Sequence, residues 1–138
     1  MSALSISRLG VRLGSRQVLD DISFDCEAGE FIGLIGPNGA GKSTFLRAVA
    51  GLVPHDGTIA MGGTLTTALA PASRARLIAY LAQEREIAWD VPVETVIALG
   101  RSPHLGPFAG LSDRDRAAIA EAMRTMEVAA VRRQNIWR

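Results

Sequence analysis

A single cysteine, Cys26, leaves the chain without any internal disulfide or cysteine-based zinc cluster. It reads instead as a small apolar residue in or beside a strand. No apolar run approaches the ~20 residues a membrane-spanning helix requires, and the opening Met1–Ile6 lacks the pattern of a secretory leader. A preponderance of one charge is missing too. The 15 Lys and Arg residues are set against 14 Asp and Glu for a net charge of +1, with no long basic tract on the body of the chain. That balance argues against nucleic acid as a partner. No internal repeat or low-complexity linker interrupts the 138 residues, and their 48% hydrophobic and 21% charged content is that of one ordinary domain with a real core.

The chemistry concentrates in one run, Gly36-Pro37-Asn38-Gly39-Ala40-Gly41-Lys42-Ser43-Thr44, which fits G-x-x-x-x-G-K-[ST]. Its glycines let successive N–H groups curl into an anion-binding concavity. A helix starting near Lys42 adds unpaired N–H groups and the positive end of its dipole. Lys42 supplies a point charge for the β and γ phosphates of a nucleotide. The Ser43 hydroxyl can ligate a magnesium ion shared with those oxygens, and Thr44 anchors the phosphates from the next position. The flanks agree with this reading. Phe31-Ile32-Gly33-Leu34-Ile35 is predicted as a strand buried on both faces, as in a parallel sheet. Phe45 to Gly51 is helical in composition and closes on a glycine suited to a helix C-terminus.

Before the loop, Ser5–Leu9, Val11–Leu13 and Val18–Asp25 read as β structure, with a turn at Gly14-Ser15-Arg16. Beyond the helix, Thr58–Met61 is predicted as a short strand, Arg74–Leu77 as a short helix or turn, and Ile78–Leu81 as a second buried strand ending at Gln83. Pro92 sits in the first turn of a helix through Glu94–Leu99 that Gly100 closes. Another helix starts from Ser112 as N-cap, with Asp115 three positions on, and continues to about Met126. Its apolar face is expected at Ile119, Ala122, Met123 and Met126, with ion pairs Asp113–Arg116 and Glu121–Arg124 on the wet side. The two methionines are core packing rather than ligands.

Taken together, these residues resemble the N-terminal part of an ATP-binding cassette (ABC) transporter ATPase. The likeness runs from the opening strands through Val18–Phe24 and Gly29–Thr44 to about Val128, and G-P-N-G-A-G-K-S-T followed by Leu46 and Gly51-Leu52 is more specific than a bare phosphate-loop pattern. The resemblance implies an α/β P-loop NTPase fold, with an ABC-ATPase-like core, an N-terminal antiparallel β subdomain and part of a helical subdomain, truncated. The β subdomain and P-loop core would occupy 1–83, part of the helical subdomain 84–130, and a tail outside the family pattern 131–138. The implied ligands are ATP and Mg2+, held by Gly36, Pro37, Asn38, Gly39, Ala40, Gly41, Lys42, Ser43 and Thr44.

By the same resemblance, Gln83 takes the place of the Q-loop glutamine, contacting the magnesium and the attacking water and coupling the nucleotide site to the membrane subunits. Leu13 stands where many members carry an aromatic that stacks on adenine, a departure that leaves an aliphatic contact instead. The segment Ala98–Gly106 is similar to importers of ferric siderophores, haem and cobalamin; His104 in it, with no second ligand-type residue nearby, receives no metal or catalytic role. Implied partners are transmembrane permease subunits and a second ATPase subunit, at the cytoplasmic face of the cell membrane.

Hydrolysis in this family also uses a Walker B aspartate with its adjoining glutamate, an LSGGQ-type signature and a switch histidine, none of which occurs in these residues. The expectation is a fragment or truncated product that binds nucleotide weakly, hardly hydrolyses it and is poorly soluble through open apolar edges. The alternative is a non-catalytic nucleotide-binding module. A third class, a small P-loop kinase, would need an acceptor lid rich in arginine, and Arg74 with Arg76 is too thin to make one.

Overall fold

The computed structural model describes residues 2–83 and 90–135, grouped in two compact units, Met1–Leu81 and Ala82–Arg138. In the first unit, β1 (Leu4–Leu13) and β2 (Arg16–Cys26) form an antiparallel hairpin closed at Leu13 opposite Arg16. The two-residue turn Gly14-Ser15 suits the twist of the strands it joins. On the other edge of β1 lies β3 (Asp56–Met61), followed by the short β4 (Thr64–Leu65), giving the order β2-β1-β3-β4. β1 is the central strand and supplies Ile6, Leu9 and Val11 to the core, where Leu19, Ile59 and Ala48 join them. Ala48 belongs to α1 (Lys42–Val49), which therefore packs on the Val11–Leu19 face of the sheet. α2 (Pro71–Leu77) completes the unit.

Two apolar runs depart from the sequence prediction. Phe31–Ile35 forms no strand, and Phe31 and Ile35 are 98% and 95% exposed. Ile78–Leu81 likewise has no regular structure, with Leu81 exposed. Both were expected to be buried strands. A strand of a parallel sheet is held by ladder bonds from neighbours and covered on both faces, and among the described residues no strand pairs with either run.

The second unit is helical. α3 (Val93–Leu99) begins after Pro92, which occupies the N-cap, and ends at Gly100. Its opening N–H groups are satisfied by residues distant in sequence: Val93 donates to the Gln134 carbonyl at 3.1 Å and Glu94 to that of Arg132 at 3.0 Å. α4 (Asp113–Thr125) opens with a capping box, the Ser112 hydroxyl accepting from the Asp115 N–H while the Asp115 carboxylate accepts from the Ser112 N–H. Its buried row is Asp115, Ile119 and Met123, spaced by four. Ala122 and Met126, expected on that face, are exposed. α3 and the turn after α4 pack near this helix, and Arg101 bonds Asp115 at the head of its buried row. Of the two expected ion pairs, Glu121–Arg124 forms and Asp113–Arg116 does not. Within 131–138, the structure describes Val131–Asn135, where Asn135 bridges to Pro92, while Ile136–Arg138 lie outside the described residues.

Candidate functional site

The phosphate-loop residues come together at the start of α1. Gly41 is the N-cap, in the left-handed region at φ 90°, and offers no side chain for capping. A Cβ there would stand 2.8 Å from Leu19 Cδ2 and 3.2 Å from the Val18 carbonyl oxygen, so only glycine lets β2 press this closely on the loop. The loop's internal hydrogen bonds are few: Ala40 N–H to the Pro37 carbonyl at 3.3 Å, and Phe45 N–H to the Gly41 carbonyl at 2.8 Å. The N–H groups of Gly41, Lys42, Ser43 and Thr44 find no acceptor among the described residues. They are the open donors of a helix first turn, at the positive end of its dipole.

Lys42 is tied into the same loop. Its Nζ donates to the carbonyl oxygens of Gly36 and Pro37, each at 2.7 Å. The ammonium thus ties the start of α1 to the head of the loop. Ser43 is exposed and its hydroxyl has no partner among the described residues; Thr44 is half-buried beside it. An anionic group bearing several oxygens fits the open donors at the start of α1. Residues Pro37 to Ala40 form the exposed rim. A largely apolar cavity of about 240 Å³ adjoins the loop, lined by Leu19, Phe24, Ile35, Gly41 and Phe45 among others.

The remaining residues singled out from sequence fall as follows. Leu13 is at the β1–β2 hairpin end, 47% exposed. Gln83 is exposed and belongs to the second unit.

Sequence reasoning missed three features. One is the pair of loop carbonyls that hold Lys42. The second is Arg74 of α2, whose guanidinium covers Gly51 just past α1; a Cβ on Gly51 would stand 2.6 Å from Arg74 Nε. The third is Arg101, which donates from Nε to Asp115 Oδ1 at 2.8 Å. Hydrogen bonds from Ser112, then that from Arg101, hold the Asp115 carboxyl down at about 2, below its ordinary 3.8. Only the glycine closing α1 and the capping-box aspartate gave any signal; their arginine partners lie 23 and 14 positions away, beyond any periodicity.

A glycine-rich loop running into a helix, with open N–H groups at the helix start and a lysine tied back to the loop's carbonyls, is the arrangement of a P-loop. A family profile described as ABC transporter matches residues 19–137, and the chain belongs to that family as an ATP-binding subunit. The match extends into the segment 131–138.

The cobalamin import ATP-binding protein BtuD of Halobacterium salinarum is 38% identical over 127 residues, covering 91% of this chain and 31% of that protein. The hemin import ATP-binding protein HmuV of Streptomyces coelicolor is 41% identical over 122 residues, covering 88% of this chain and 43% of that one. The chain therefore spans less than half the length of these relatives. Among solved structures, an inward-facing putative metal-chelate type ABC transporter superposes with a TM-score of 0.72 at 21% identity, over 98% of this chain and 49% of that one. The ATP-binding subunit of an ABC transporter superposes at 0.76 and 24%, over 97% and 54%. These likenesses establish the α/β P-loop ATPase fold, with an N-terminal antiparallel sheet followed by a helical subdomain. No described helix is long and apolar enough to cross a membrane.

Proposed function

We propose that the chain is the nucleotide-binding portion of an ATPase subunit that drives import of a metal chelate, namely cobalamin, haem or an iron-siderophore. The observation that carries the reading is the loop itself, with four open N–H groups at the start of α1 and the Lys42 ammonium held by two loop carbonyls. Bound ATP supplies the phosphoryl group to be transferred, and Mg2+ neutralises charge on its phosphate oxygens.

This chain's residues bind and position. The N–H groups from Gly41 to Thr44 hold phosphate oxygens, Lys42 adds its charge, and the Ser43 hydroxyl holds the magnesium. Gln83 takes the role of orienting water and magnesium and of relaying nucleotide occupancy to permease subunits at the cytoplasmic face. A second ATPase subunit completes the site. The metal-chelate assignment rests on the names of the cobalamin and hemin relatives and on the segment Ala98–Gly106.

The alternative reading is a nucleotide-binding module without turnover. Titration of a fluorescent ATP analogue tests the loop, and release of inorganic phosphate separates the two readings. Magnesium-dependent binding should weaken about 10- to 100-fold on Lys42→Ala, the loss of one charge-assisted contact. Equal binding by both proteins would overturn the assignment. Binding without phosphate release, even with permease and a second ATPase subunit present, would favour the module.

A further inference from the structure

α3 and α4 wall a cavity of about 550 Å³ that lies wholly within the second unit and is closed on one side by the chain at Arg132 and Arg133. Arg116, Ile119, Ala120 and Met123 recur at i, i+3, i+4 and i+7, so they share one face of α4. Glu94, Thr95 and Ala98 supply the α3 wall. Ile119 and Met123 are 6% and 5% exposed, so the apolar floor is made of side chains that packing already holds in place. A concavity of this size, mostly apolar with a few polar groups, falls in the range of organic-ligand sites, about 300–1,000 Å³.

The charges on the wall do not balance. Three cations, Arg116, Arg132 and Arg133, are set against one carboxylate, Glu94. Arg132 Nε stands 3.9 Å from Glu94 Oε2, which accounts for one of them. The guanidiniums of Arg116 and Arg133 make no hydrogen bond or ion pair among the described residues, although Asp113 lies three positions before Arg116. A guanidinium offers a planar fork of donors that matches a carboxylate. An apolar floor gains by shedding water against hydrocarbon. Inorganic phosphate would meet the arginines and leave the floor wet, and a neutral hydrocarbon would do the reverse. Only an occupant anionic at one end and apolar along the rest satisfies both.

We propose that the α3–α4 cavity binds a small amphipathic carboxylate, its hydrocarbon body against Ile119 and Met123 and its carboxylate among Arg116, Arg132 and Arg133. The site uses no residue of the phosphate loop, so it stands or falls independently of the nucleotide-binding reading.

The experiment is calorimetric titration of the full chain with decanoate, decanol and propionate, in the native protein, in Arg116→Gln combined with Arg133→Gln, and in Ala120→Trp. Decanoate should bind one to one, about 10-fold or more tighter than decanol, which lacks the charge, and propionate, which lacks the body. Replacing the two unpaired arginines should weaken decanoate about 10- to 100-fold, the loss of charge-assisted hydrogen bonds, and leave decanol unchanged. Ala120 is exposed on the cavity wall, so a tryptophan there should fill the space and abolish decanoate binding. Absence of decanoate binding, or equal affinity for decanoate and decanol, would overturn the proposal. Undiminished binding in an Ala120→Trp protein that melts like the native one would also overturn it, by placing the ligand on another apolar surface such as Phe31–Ile35. If Ala120→Trp lowers the melting temperature, the exposed arginine pair decides instead: a variant that melts like the native protein and still binds decanoate as tightly sinks the proposal.

Discussion

β1 and the run Phe31–Ile35 both read as β structure in the sequence, yet one is the centre of a sheet with Ile6, Leu9 and Val11 buried and the other lies exposed without a ladder. The difference is where the partner comes from. β1 meets β2 across a two-residue turn, so its hydrogen bonds are local and cost little chain entropy to close. β3, some 40 positions later, adds to an edge already formed. Phe31–Ile35 and Ile78–Leu81 have no paired strand among the described residues. Propensity marks a segment as able to pair, and a strand exists only where another strand supplies the second half of the ladder.

Truncating side chains in the two regions gives the widest separation. Leu9→Ala, in the fully buried centre of β1, should cost about 2–5 kcal/mol in urea unfolding. Phe31→Ser in the exposed run should stay within about 0.5 kcal/mol. A Phe31→Ser loss approaching that of Leu9→Ala would show the run to be packed and erase the contrast.

Smaller changes probe contacts made locally against those made at a distance. Ser112→Ala removes the capping box of α4, which is assembled within four residues, and should cost about 0.5–2 kcal/mol, measured by helix content and unfolding of the second unit. Arg74→Ala removes a contact spanning 23 positions and should cost about 0.5–1.5 kcal/mol, loosening α2 from the end of α1. Amide-exchange protection in α2 that persists in that variant would show another anchor.

The acid response of α4 is the finest test. Asp115 has its pKa lowered from 3.8 to about 2, so its contribution is complete above the unfolded value and is lost as pH falls through the folded one. Amide-exchange protection of α4 should therefore decline as pH falls from about 4 to about 2, and Asp115→Asn should flatten that decline. An identical profile in the variant would assign the acid response to another carboxyl.

Much of the phosphate loop was legible in advance because its chemistry is contiguous. Nine consecutive residues carry the glycines, the cation and the hydroxyls, and the helix behind them starts at Lys42. The capping box of α4 and the β1–β2 hairpin were legible for the same reason, each being closed within a few residues. The carbonyls that hold Lys42 were not, since main-chain acceptors have no residue signature. Nor were the partners of Gly51 and Asp115, nor the carbonyls of Arg132 and Gln134 that cap α3.

Sequence alone determined the short-range features: the phosphate-binding loop, the hairpin, the helix start signals and the membership in the ABC family that those residues carry. Tertiary structure decided which apolar runs became strands and which face of α4 is buried. The reason is physical. Caps, turns and phosphate loops are satisfied by neighbours along the chain, whereas burial and ladder pairing depend on surfaces brought together from distant positions, and no local pattern encodes which of them will meet.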